Sequence, residues 1–382
     1  MRRLLVLVSS IVFVDAMLFG ALSPLVPGYS HEFDLSKAAA GVLVGSFGAG
    51  AFVGGVPGGI AAARFGPRRT VLVGLALFAL ASFAFAVAGS AWTLGASRFL
   101  QGFASTTTWA GALTWLVVGS PRKRRGEVLG IAFGAAVLGA ILGPMFGAVA
   151  HSVGIGTAFA ITGCIGLGLA AWAAASADSE AESEVAGSVG RAFHDERFVG
   201  GLWLNTLPGF LFGVVAVLAP LTLDAGGWGP FAIGAVFLSA GLVEAALNPL
   251  LGRVSDRRGR LLPTQVALAA SVAVAIGLAA AEQPAIVAAL LAAAAVSFGG
   301  FFTPGMALVS DRADVVGLTQ GLAFGLMQSA WAAGNLAGPV IGGGLAQLYG
   351  DSAPYLLASA LCLLTLVATR RVVAGQAGRA TA

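Results

Sequence analysis

From residue 4 to residue 373 the chain is a succession of apolar runs near 20 residues each: roughly 4–27, 39–61, 70–88, 92–118, 127–149, 155–175, 199–222, 230–251, 261–280, 284–308, 317–341 and 353–373. A run of that length makes a helix that crosses about 30 Å of hydrocarbon, whereas a barrel would show alternating strands of about ten residues. In lipid the backbone has no water to bond, so each run must satisfy its own amides as a helix. The expected fold class is therefore an all-α integral membrane protein of twelve transmembrane helices. Charged residues make up 10% of the chain, against about a quarter in soluble domains. The first run follows Met1-Arg2-Arg3 as a signal peptide would. Asp15 interrupts it and no small-residue cleavage site closes it, so it reads as an uncleaved first span.

One pattern occurs twice. Gly130 to Gly147 (GIAFGAAVLGAILGPMFG) and Gly325 to Gly342 (GLMQSAWAAGNLAGPVIG) both read Gly, eight residues, Gly, three, Gly-Pro, two, Gly, 195 positions apart in a chain of 382. A recurrence of this kind at half the chain length marks an internal repeat. Gly139, Gly143 and Gly147, like Gly334, Gly338 and Gly342, recur at i, i+4, i+8 and form a smooth stripe that another helix backbone can approach closely. Pro144 and Pro339 each remove a backbone donor and bend the helix, which lipid tolerates where a neighbouring helix or cavity receives the freed carbonyl. The expectation is two related six-helix bundles, 1–176 and 198–382, that rock against each other with the bent fifth and eleventh helices at the seam. The polar stretch 177–197 (ADSEAESEVAGSVGRAFHDER) is the flexible cytoplasmic linker between them.

With the amino terminus inside, the alternate loops collect 19 of the 21 Lys and Arg residues, leaving Lys37 in an outer loop and Arg98 within a span. Both termini are thus expected in the cytoplasm and the protein in the cytoplasmic membrane. Orientation explains the basic balance, and nucleic acid is not an expected partner. Cys164 and Cys362 lie in apolar runs and read as small hydrophobes, and His31, His151 and His194 fall in loops without metal-ligand spacing.

Between the second and third spans stands Gly59-Ile-Ala-Ala-Ala63-Arg64-Phe-Gly66-Pro-Arg68-Arg69, and between the eighth and ninth Gly252-Arg-Val-Ser-Asp256-Arg257-Arg-Gly259-Arg260. This resembles the hairpin signature of the major facilitator superfamily, and the resemblance covers essentially the whole chain. It implies two pseudo-symmetric bundles, glycine where the short turn needs a positive φ, and an Asp-Arg pair that pins the turn to a neighbouring helix end. The first half has Ala63 where that pattern has Asp, which leaves Asp256 with Arg257 as the candidate pair. Arg98-Phe-Leu-Gln101-Gly102 is similar to the superfamily's second motif, which implies an Arg in the central cavity of proton-coupled members. Gly130 to Gly147 resembles the fifth-helix motif of its drug:proton antiporters, and Leu22-Ser-Pro24-Leu-Val-Pro27 the proline pair of the twelve-helix branch.

Counting along the helices puts Arg98 about 10 Å below the outer surface and Asp15 about 12 Å below it. An acid and a base that are each costly in hydrocarbon should meet, so the two are expected as a cavity pair, with Asp15 carrying the proton. Glu244, about 13 Å from the inner face, is the other acid well within a span. Gln101, Thr107, Asn205, Asn248, Gln328 and Asn335 are candidate polar contacts, and Trp109, Phe210, Phe301 and Trp331 candidate apolar walls, for an amphipathic organic substrate. Neither Lys37 nor Lys123 follows a glycine, so no Gly-Lys-Ser/Thr phosphate loop exists, and enzyme motifs such as Gly-x-Ser-x-Gly are missing. The expectation is a monomeric secondary transporter, not an enzyme. It needs no cofactor beyond a proton gradient and exports drug-like molecules by alternating access. A proton symporter, a narrow sugar or metabolite exporter of the same fold, and a non-transporting sensor hinted at by Ala63 stay open at this point.

Overall fold

A computed structural model describes residues 2–121, 124–177, 189–258, 261–318 and 320–380, with side chains for all of these except 189, 248–258, 314, 320, 321 and 371–380. Helix α1 (Arg2–Gly20) continues through a 3₁₀ turn, Ser23–Leu25, into a last short helix, Val26–Glu32. There follow α2 (Lys37–Phe65), α3 (Pro67–Ala86), α4 (Ala91–Val118), α5 (Arg125–Val153) and α6 (Ile155–Ala174). The second series is α7 (Glu196–Ala225), α8 (Pro230–Arg258), α9 (Leu261–Ala280), α10 (Pro284–Gly299, resumed as Phe302–Val316), α11 (Gln320–Tyr349) and α12 (Ser352–Ala380). Local chemistry sets the starts. Ser36 and Ser90 cap α2 and α4 with their side chains, Asp195 caps α7, and Gly66 turns between α2 and α3 at φ 87° with Pro67 opening the next helix. The expected positive φ thus falls at Gly66, whereas Gly59 lies inside α2. An even number of crossings puts both chain ends on one face, called here the terminal face.

Ten of these segments are long and apolar enough to cross a membrane. The two that fall short are α4 and α11, at 28 and 30 residues ample in length but diluted by Arg98, Gln101 and Thr106–Thr108 in one and Gln328 and Asn335 in the other. Pro57 and Pro208 sit in unbroken helices. The break in α10 falls at Gly300 and Phe301, just before the Thr303-Pro304-Gly305 run.

Packing repeats as the sequence does. In the first half α1 lies on α5, α2 on α4 and α3 on α6; in the second, α7 lies on α11, α8 on α10 and α9 on α12. The halves meet along α2 with α11 and along α5 with α8. The duplicated stripes face the first helix of their own half. A Cβ on Gly139 would lie 2.2 Å from the Phe13 carbonyl oxygen of α1, and one on Gly338 would lie 2.2 Å from that of Phe210 in α7. Any side chain there would force the helices apart. The proline bends meet the expected condition too. The carbonyl freed by Pro144 belongs to Ala140 and that freed by Pro339 to Asn335, and each faces a neighbouring glycine, Gly20 of α1 and Gly48 of α2 respectively. A hydrogen on that glycine Cα is the one weak donor the backbone can still offer there.

Candidate site at the buried charges

Asp15 in α1 is 6% exposed and Arg98 in α4 is 2% exposed. Helix α4 meets α1 with residues one turn apart. Ser105 Oγ and Trp109 Nε1 both donate to Asp15 Oδ2, at 2.7 Å each. Arg98 and Gln101, i and i+3 on the same helix, are joined by a 2.9 Å bond from Arg98 Nη1 to Gln101 Oε1.

The guanidinium also donates to backbone, Nη1 to the Leu18 carbonyl at 3.3 Å and Nη2 to the Phe19 carbonyl at 3.4 Å. The guanidinium also lies over the Phe47 ring of α2, 4.9 Å from its centroid. This corrects the expected Asp15–Arg98 ion pair, since the two side chains are held by separate partners. The physical reason is the end of α1. A helix that stops at Gly20 leaves carbonyls of its last turn without amide partners, at the negative end of its dipole, and a cation is favoured there. Arg98 caps α1 from a neighbouring helix. Its Nε and the Gln101 Nε2 are buried with no partner.

Two aromatic bridges run from these charges across the seam. On the Arg98 side, Phe47 stands 5.0 Å from Phe19, which stands 5.2 Å from Trp331 of α11. On the Asp15 side, Trp109 stands 5.7 Å from Phe133 of α5, which stands 5.6 Å from Phe324 of α11. Asp15 also borders a narrow cleft of about 10 Å³, room for about one water, lined with Ile11, Val14, Leu75, Phe78, Thr108 and Leu169, all from α1, α3, α4 and α6 of the first bundle.

The other sequence candidates scatter. Asn335 and Trp331 stand on α11 at the seam, with Asn335 Nδ2 on the Trp331 carbonyl, and Gln328 is half-buried on the same helix. Asn205 is buried on α7 with its amide on the Gly201 carbonyl and its Oδ1 unpartnered. Thr107 turns its hydroxyl back to the Phe103 carbonyl, and Phe210 and Phe301 are buried in the apolar core. Glu244 is half-buried with its carboxylate over Gly299, where α10 breaks. Arg64 is exposed and lies over the Phe65 ring. The side chains of Asn248, Asp256 and Arg257, and Gly259 altogether, lie outside the described residues. Among the described residues no three His, Cys, Asp or Glu side chains converge as a metal site would require.

Sequence reading missed the face opposite the termini. There His31 Nε2 meets Asp224 Oδ2 at 2.9 Å and Lys37 Nζ meets Asp351 Oδ1 at 2.5 Å, both between the halves. Gly41 and Gly48 bring α2 against α11 beside them. Among the described residues, no atom of another helix lies within 4 Å of where a Cβ would sit on Gly59, Gly130, Gly134 or Gly325.

The family model described as Major Facilitator Superfamily matches residues 8–323 and, separately, 202–380, so the second half alone also satisfies it. A curated protein, the MFS-type transporter ppzB of Metarhizium rileyi, is 30% identical over 157 residues, which are 39% of this chain and 32% of that one. The match thus spans about a third of that relative's length. Among solved structures, a bacterial homologue of the human lysosomal transporter Spinster, inward-facing and unoccupied, aligns over 96% of both chains with TM-score 0.78 and 14% identity. The human organic anion transporter MFSD10 aligns over 96% of this chain and 99% of its own, with TM-score 0.72 and 18% identity. The nucleoside transporter NupG aligns over the same shares with TM-score 0.76 and 13% identity. Likeness at these identities is likeness of fold.

Proposed function

The chain belongs to the Major Facilitator Superfamily, and from that premise we propose that it is a proton-coupled exporter that exchanges protons for drug-like, amphipathic organic molecules by alternating access. The observation that carries this reading is Asp15, an acid buried in α1 whose carboxylate takes two donors from α4 on one oxygen. A carboxylate in a membrane interior is costly and is kept where it moves ions or protons. The aromatic faces of Phe19 and Trp331 at the seam suit flat apolar substrates. The basic-loop bias supports a protein of the cytoplasmic membrane with both ends inside; the reading takes it as a monomer driven by the proton gradient.

A second reading has its own observation. The unpartnered Arg98 Nε and Gln101 Nε2 are buried donors, and a substrate with a carboxylate or carbonyl would satisfy them. Purified protein in liposomes holding an internal pH dye separates the two. A panel of cationic, neutral and anionic amphiphiles is added outside acid-loaded vesicles. Antiport predicts proton release on adding substrate and its loss in Asp15→Asn. A variant that drives pH-dependent exchange at the wild-type rate would remove Asp15 from the mechanism.

A further inference from the structure

Resting on the reading of Asp15 as the proton site, we propose that Trp109 and Phe133 are positioning residues that carry the state of the Asp15 carboxylate to the seam. They hold α5 against Phe324 of α11 while the acid is ionised and release it when the acid takes a proton.

The argument is one of adjacency. Trp109 has a single polar atom, Nε1, and that atom is spent on Asp15 Oδ2 at 2.7 Å. The indole is therefore oriented by the carboxylate. Its ring is the surface beside which Phe133 stands, tilted by 48° at 5.7 Å, and Phe133 in turn meets Phe324 at 5.6 Å. Hydrogen bonds to an ionised acceptor are roughly twice as strong as neutral ones. A proton that adds to the carboxylate weakens the Trp109 bond, and its return to water restores it. The Ser105 bond to the same oxygen weakens with it, but Ser105 lies on α4 and touches no ring of the bridge.

The cleft of Ile11, Leu75, Phe78 and Leu169 borders the carboxylate within the first bundle, and Trp109 leaves towards α5. The charged group that acts on Asp15 from α4 is Arg98, whose own surroundings include Tyr29. Helices α3 and α6 bring the apolar cleft lining, and α5 brings Gly139 and Gly143. Arg124 and Glu127, at the far terminal end of α5, pair with each other. The Phe133–Phe324 contact joins α5 to α11, so its loss changes how far the two helices stand apart.

The test uses the full chain in nanodiscs, with Cys164→Ser and Cys362→Ala, and nitroxides on Gly130→Cys and Gly325→Cys, two positions with open space beside them. Electron–electron distances are read from pH 5 to pH 8. Expected are a longer distance at low pH, a long distance at every pH in Asp15→Asn, and loss of the pH response in both Trp109→Phe, which keeps a ring without the donor, and Phe133→Leu. Trp92→Phe, at an 88% exposed indole, serves as the unaffected comparison. Phe324→Leu, which cuts the same contact from the other half, replaces any variant that does not fold. A full pH response in Trp109→Phe or Phe133→Leu, with Asp15→Asn unresponsive, overturns this proposal and leaves the proton site standing. A full response in Asp15→Asn, or none in the parent protein, overturns both.

Discussion

Arg98 is a buried cation answered by a helix end. Its donors reach the Leu18 and Phe19 carbonyls and Gln101, so its charge is compensated by the α1 terminus whether or not Asp15 is ionised. Removing it strips partners from buried groups, and bonds to charged groups are worth roughly 1.5–3 kcal/mol each. Arg98→Ala should therefore lower the melting temperature of the purified protein substantially, and adding Asp15→Asn should not bring it back. Recovery to the wild-type melt in the double variant would mean that the two charges do pair directly. That Asp15 and Arg98 are buried could be read from their places inside two apolar runs. Their partners could not, because a backbone carbonyl at a helix end has no letter of its own. The same holds for Phe133 and Phe324, which are two of 24 phenylalanines until folding sets α5 beside α11.

At the scale of elements, the start of α7 shows how a loop charge is tied into the bundle. Asp195 caps the helix by accepting from the Arg197 and Phe198 amides, and it also takes Nε and Nη2 of Arg312 from the end of α10. The Arg312 bonds foremost, helped by the backbone amides, hold its carboxyl below the ordinary carboxylate range. A group depressed in the folded state stabilises above its unfolded pKa, about 3.9 for Asp, and that stability is lost as pH falls through the folded value. Melting temperature measured from pH 6 down to pH 3 should drop at the acid end. Asp195→Asn should flatten that part of the curve, and an unchanged acid limb in the variant would show that the junction contributes nothing. Elements were the most legible level of the sequence. Apolar run length gave the helices, Gly66 with Pro67 gave a tight turn, and the paired Gly-Pro stretches gave two faces open to a close neighbour, while only the structure names α1 and α7 as those neighbours. The Asp195–Arg312 tie escaped notice because its residues lie 117 positions apart and neither belongs to a repeat.

For the molecule as a whole, the duplicated packing and the seam of α2 with α11 and α5 with α8 are what two equal, opposed halves require. The exposed ties of His31 with Asp224 and Lys37 with Asp351 join the halves on one face at small energetic gain. The two helices too polar to qualify as spans, α4 and α11, carry a consequence for how the chain is made. A segment bearing Arg98 meets a penalty of about 2.5–3.5 kcal/mol when it is handed to lipid by itself. The backbone acceptors that relieve the penalty are on α1, which leaves the ribosome before α4 does. Biogenesis should then be ordered: α4 waits for, and integrates against, a first helix already in place. In glycosylation mapping with microsomes, a reporter segment holding α4 alone should stay outside the bilayer, and a truncated chain from α1 through α4 should integrate it. Equal integration of both would mean that this helix enters unaided.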